Sequence, residues 1–193
     1  MNIATKLTFL RIIIVPFFIF SLEMKTKMGY LFALILFIIA SLTDLYDGII
    51  ARKLKQVTDF GKFLDPLADK ILLMSAFVYL PVLPEIKIPA WMIVVILSRE
   101  FIITGLRTVA AKKGEVIAAQ LSGKFKTTFQ MITIIYILTF LVFNAYFSGK
   151  VSESLIAILS KISFYLVLLT TIATFYSGVS YILKYRRYLD VEK

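Results

Sequence analysis

The chain has 193 residues, 60% of them hydrophobic, a formal charge of +10, and neither cysteine nor histidine. That apolar share, with a mean hydropathy of +0.88, lies above the ~45–50% of soluble domains and excludes an ordinary soluble globule. The missing residues exclude disulfides, thiolate or imidazole metal sites and a histidine base, and a basic excess in so apolar a chain reads as membrane orientation and attraction to anionic lipid, with no nucleic-acid partner.

Six apolar stretches, each near the ~20 residues a spanning helix needs, predict an all-α polytopic membrane protein of a single domain, residues 1–193. The first, residues 7–22, holds Pro16 as a candidate kink. Lys6 runs straight into it with no small-residue cleavage site, so it reads as a retained helix and not a removed signal peptide. The second, 29–50, ends in Asp44 and Asp47; the third begins near Asp65 and stops by Leu83, where Pro81 and Pro84 break it. The fourth, 88–111, contains Arg99, Glu100 and Arg107, and the fifth, 123–147, opens with Lys124 and Lys126. The sixth, 155–185, reads as plain apolar sequence, with Tyr181 and Tyr185, and Tyr188 beyond, as an interfacial aromatic belt. Phe17, Phe18 and Phe20 fit lipid-facing or interhelical packing.

Lysine and arginine set the orientation. Arg52, Lys53, Lys55 and Lys62 follow the second stretch, Lys112, Lys113, Lys124 and Lys126 the fourth, and Lys184, Arg186, Arg187 and Lys193 the last. The alternate loops hold Lys25 and Lys27, then Lys87, then Lys150. Both termini are therefore expected in the cytoplasm, with the acidic end of the second stretch at the cytoplasmic boundary of the cell membrane.

The segment from Asp44 to Asp69 puts four acids into this apolar background. In helices, Asp44 and Asp47 are i, i+3 and Asp65 and Asp69 are i, i+4, so each pair shares a face. Four carboxylates converging at low dielectric repel and take up protons unless a cation compensates. Oxygen donors alone point to a hard ion such as Mg2+ or Mn2+. A lipid-facing aspartate near the bilayer centre would cost about 2.5–3.5 kcal/mol, so Asp44 and Asp47 should face inward. Gly48 and Ala51 let either a ligand or a neighbouring helix approach the backbone. Arg52 suits either a phosphate or the positive-inside pattern.

The string Asp44-x2-Asp47-Gly48-x2-Ala51-Arg52-x8-Gly61-x3-Asp65-x3-Asp69 resembles the signature of the CDP-alcohol phosphotransferases, integral membrane enzymes, at all eight fixed positions. The resemblance implies that family's fold, with Asp44, Asp47 and Asp65 as metal ligands and Asp69 as both ligand and general base. It implies two Mg2+ or Mn2+ ions, and a CDP site lined by Gly48, Ala51, Arg52, Thr58 and Gly61. Leu7-Thr8-x2-Arg11 is similar to the element that opens many of these proteins and adds Thr8 and Arg11 to the CDP-diacylglycerol contacts, although Ala4-Thr5 stands where the family commonly has Pro-Asn. A snorkelling Arg11 at an interfacial helix start is the alternative. The family also implies a homodimer formed through membrane helices.

The second substrate must be read outside the shared motif. Arg99 and Arg107, about 80° apart around a helix, and Lys124 and Lys126 form a second basic group suited to an anionic acceptor such as a phosphate. Arg99 could instead pair with Glu100. The run from Arg99 through Gly105-Leu106-Arg107, Ala118-Ala119 and Gly123-Lys124-x-Lys126-Thr127 to Gln130 resembles the branch of the family that joins CDP-diacylglycerol to sn-glycerol 3-phosphate and releases CMP. The rivals are a sister enzyme using phosphatidylglycerol or an inositol phosphate, and, from another class, a divalent-cation transporter, since buried acids also mark ion pathways.

Overall fold

A computed structural model describes residues 3–54, 70–112 and 121–185, with their side chains over 9–43, 70–111 and 125–185. The described residues form six helices and no strands. The first two make a hairpin. Helix α1, Ile3–Glu23, continues through Pro16 without interruption and ends where Lys25 takes a left-handed conformation, φ 48°, a position that glycine usually fills. Thr26 then caps α2, Lys27–Leu54, its Oγ1 accepting the Gly29 N–H at 3.1 Å. Gly29 is required here, because a Cβ at that position would collide with the carbonyl oxygen of Ser21. Phe18 and Leu22 on α1 meet Ala33, Phe37 and Ala40 on α2, all fully or almost fully buried. The Phe18 and Phe37 rings lie 5.9 Å apart, whereas Phe17 and Phe20 point outward.

Helix α3 is described over Lys70–Val82, its last turn tightened to 3-10 geometry at Leu80–Val82. Pro81 and Pro84 end it where the sequence expects; its expected start near Asp65 lies outside the described residues. Helices α4, Ala90–Lys112, α5, Leu121–Phe147, and α6, Glu153–Tyr185, follow. Gly149, at φ 82°, turns the chain between α5 and α6, and Ser152 caps α6 through the Leu155 N–H at 3.3 Å. Helix α2 packs on α1 and α5, and α6 on α4 and α5.

The sixth stretch is not featureless. Ser163, Thr170, Thr171, Thr174, Ser177 and Gly178 form a buried face of small residues, the kind that lets helices approach closely in a membrane. Thr133 of α5 and Thr170 share a 2.8 Å hydrogen bond across that contact. Tyr181 also departs from the aromatic-belt expectation, since it is buried between α4 and α6.

The described turns gather at one end of the bundle. Glu23 accepts from Tyr79. Glu85 accepts from Tyr30 at 2.5 Å through its carboxylate and from Ser160 at 3.0 Å through its backbone oxygen. Among the described residues, α6 and the Phe125–Phe147 portion of α5 are long and apolar enough to cross a membrane.

Candidate active site

A cavity of about 230 Å³ opens among the first five helices. Its polar lining comes from Arg11 on α1, Ser41 on α2, Lys70 on α3, Glu100 on α4, and Lys126, Thr127 and Gln130 on α5. Phe77, Ile96 and Met131 help form the apolar remainder. Arg11, Lys126 and Gln130 are almost wholly buried, so charges meet in a setting of reduced dielectric where each counts for more than at a surface.

Glu100 organises the polar wall. Its Oε1 accepts a hydrogen bond from Lys126 and lies 3.6 Å from Arg99 Nη1, while its Oε2 is 4.0 Å from Lys70 Nζ. Lys70 also donates to Thr104 Oγ1, and Thr104 donates back to the Glu100 carbonyl at 2.7 Å. One turn of α4 thereby meets cations from both α3 and α5. Glu100 is the one acid among the described lining residues.

The acidic motif adjoins this cavity along the backbone. Helix α2 continues unbroken from Ser41, on the cavity wall, through Asp44 and Asp47, which are i, i+3 on a helix as the spacing requires. Lys70 directly follows Asp69 in the chain. Gly48, Ala51 and Arg52 lie on the same helix, and Thr8 lies on α1, but the side chains of Thr8, Asp44, Asp47, Ala51 and Arg52 are outside those described. Thr58, Gly61, Asp65 and Asp69 lie outside the described residues altogether.

The predicted acceptor group divides. Lys126 lines the cavity. Arg99 borders it through Glu100 but reaches across to α6, where Nη2 donates to Ser177 Oγ at 3.0 Å. Arg107 also turns to α6, its Nε donating to Tyr181 OH at 3.1 Å with the guanidinium 5.6 Å from the ring centre. Lys124 lies in the first turn of α5, and its side chain is outside those described. Sequence reasoning did not single out Lys70, and noted Glu100 merely as a neighbour of Arg99. The available signals were the position of Lys70 beside Asp69 and the rarity of an acid inside an apolar helix.

Comparison with known proteins agrees with the sequence motif. A family model described as CDP-alcohol phosphatidyltransferase matches residues 1–176. The chain is 45% identical over 146 residues to a CDP-diacylglycerol–glycerol-3-phosphate 3-phosphatidyltransferase of Bacillus subtilis (strain 168), covering 69% of this chain and 74% of that one. Relatives of the same name are 35% identical over 86% of this chain and 94% of theirs in Wigglesworthia glossinidia brevipalpis, and 36% identical over 71% and 76% in Escherichia coli (strain K12).

Proposed function

The chain belongs to the CDP-alcohol phosphatidyltransferase family, and from that premise we propose that it transfers the phosphatidyl group of CDP-diacylglycerol to sn-glycerol 3-phosphate, releasing CMP in phospholipid biosynthesis. The observation that carries this reading is the likeness to relatives named for that activity, one of them matched over 94% of its length. The cavity supplies a chemical reason for the acceptor: Lys70 and Lys126 converge on a buried, partly apolar wall beside the acidic motif, a setting suited to an anionic alcohol.

Asp44, Asp47, Asp65 and Asp69 offer oxygen donors alone, in a chain with no cysteine or histidine, a set that fits Mg2+ or Mn2+, with two ions the number proposed. When bound, such ions neutralise pyrophosphate charge and make the phosphorus a better electrophile. The chain's own residues do the rest. Asp69 takes the proton from the C1 hydroxyl of glycerol 3-phosphate. That oxygen bonds to the phosphorus bearing diacylglycerol as the bond from this phosphorus to the CMP oxygen breaks. Gly48, Ala51, Arg52, Thr58 and Gly61 hold the nucleotide end of CDP-diacylglycerol, with Thr8 and Arg11 as further contacts to that substrate. Lys126, with Lys124 two residues before it in the chain, holds the acceptor phosphate, while Arg99 and Arg107 stand behind that wall, bonded to Ser177 and Tyr181 of α6.

All six helices cross the cell membrane in this reading, with both termini and the site on the cytoplasmic side. Exposed apolar side chains on every helix support it: Phe17, Phe32, Val78, Val94, Ile132 and Ile172 are each at least half exposed. A homodimer is proposed on the family resemblance.

The test is CMP release by the purified protein with CDP-diacylglycerol and Mg2+ or Mn2+, offering glycerol 3-phosphate, phosphatidylglycerol and inositol phosphate in turn. Release with glycerol 3-phosphate alone supports the assignment; release with another acceptor alone overturns it.

A further inference from the structure

Glu100 is an acid buried in a cavity whose other charged described residues are cations, and no role in the transfer described above requires it. Its placement is costly unless it does something: an ionised carboxylate out of water must be compensated by partners. The compensation here exceeds what one carboxylate needs. Lys126 from α5 bonds Oε1, Arg99 from the same helix lies 3.6 Å from that oxygen, and Lys70 from α3 lies 4.0 Å from Oε2. Within the cavity itself, Arg11, Lys70 and Lys126 with Glu100 sum to a formal charge of +2, the charge complement of a phosphate monoester dianion.

We propose that Glu100 is a positioning residue for the acceptor: it gathers Lys70 and Lys126 onto one wall of the cavity so that both ammonium groups are in place when the phosphate of glycerol 3-phosphate arrives. The inference rests on the acceptor assigned above. Without the central carboxylate, like charges within a few ångströms of one another repel. Lysine carries its charge on a flexible four-carbon stem, so the two ammonium groups would swing apart and the phosphate would have to gather them again on binding. Glu100 lies on α4, whereas the motif acids belong to the segment spanning the end of α2 and the approach to α3. Its loss should therefore weaken the acceptor and spare CDP-diacylglycerol. Lys126, 4% exposed at its side chain, is the arm most dependent on it; Lys70, 32% exposed, keeps Thr104 as a second partner.

The experiment compares steady-state kinetics of the full-length wild-type protein, Glu100→Gln, Lys126→Gln and the double variant in detergent micelles, varying each substrate with the other saturating. Loss of a charged hydrogen bond predicts a rise of about tenfold or more in the acceptor KM of Glu100→Gln. Its kcat at saturating acceptor and its KM for CDP-diacylglycerol should stay near the wild-type values. In the Lys126→Gln background the same substitution should add little, because the arm it positions has gone. Glu100→Asp, which keeps the charge but shortens the reach, should raise the acceptor KM less than Glu100→Gln, and it carries the test if Glu100→Gln does not fold. A fall in kcat with the acceptor KM unchanged, KM values for both substrates rising together, full additivity with Lys126→Gln, or an unchanged acceptor KM in the variant that folds would each overturn the proposal. A wild-type protein that ignores glycerol 3-phosphate would refute the acceptor assignment instead, which is a separate result.

Discussion

Asp69→Asn keeps the size of the side chain and removes its basicity. Loss of a general base predicts a fall in turnover of at least ~10²-fold, read as CMP release, with the protein still folding and purifying as the wild type does. Full activity in that variant would remove Asp69 from the base role. Lys126→Ala tests the cavity wall. It should raise the acceptor KM by about tenfold, near 1.4 kcal/mol, with a smaller effect on kcat, measured with glycerol 3-phosphate as the varied substrate. At this scale the sequence was most informative about residues close together in the chain. The spacing of Asp44 and Asp47 translates directly into a shared helix face, and α2 is helical through both. Partnerships across helices leave no such periodic trace. The convergence of Lys70, Glu100 and Lys126 joins residues from α3, α4 and α5, and Tyr181, an interfacial aromatic by its place in the sequence, instead bonds Arg107 of α4.

Among the elements, helix existence was legible because apolar length and proline breaks are local signals. The stop at Pro81 and Pro84 shows this well. The inward face of α6 was harder to read, because serine, threonine and glycine hardly disturb an apolar stretch, and their value appears when another helix lies against them. At the α4–α6 contact, a Cβ added at Gly178 would come within 2.8 Å of Arg99 Cγ. Gly178→Leu therefore forces the helices apart or drives Arg99 from Ser177. The expected outcome is an overpacking loss of about 1–3 kcal/mol, seen as a lower midpoint in thermal unfolding of the detergent-solubilised protein. An unchanged midpoint would mean that α6 accommodates the side chain without strain.

For the molecule as a whole, metal dependence and orientation both have direct readouts. Treatment with a chelator should abolish CMP release, and Mg2+ or Mn2+ added in excess should restore it; activity surviving complete chelation would overturn the hard-ion reading. The lack of native cysteine makes a single introduced thiol an unambiguous reporter. Ser148→Cys, at the exposed turn after α5, should react with a membrane-impermeant maleimide added outside intact cells, and protection there with labelling after permeabilisation would reverse the assigned topology. The length of α6 has a further consequence. Its 33 residues extend about 50 Å at ~1.5 Å per residue, more than the ~30 Å hydrocarbon layer, and a ~40° lean, the upper end of the usual range, still leaves about 38 Å to accommodate. In the proposed membrane-crossing arrangement, part of this rod stands among the headgroups, with Glu153 and Lys184 near opposite tips. A membrane that thickens by a few ångströms can be met by a change of lean, so the protein carries its own allowance for the differing widths of the lipid sheets it helps to make.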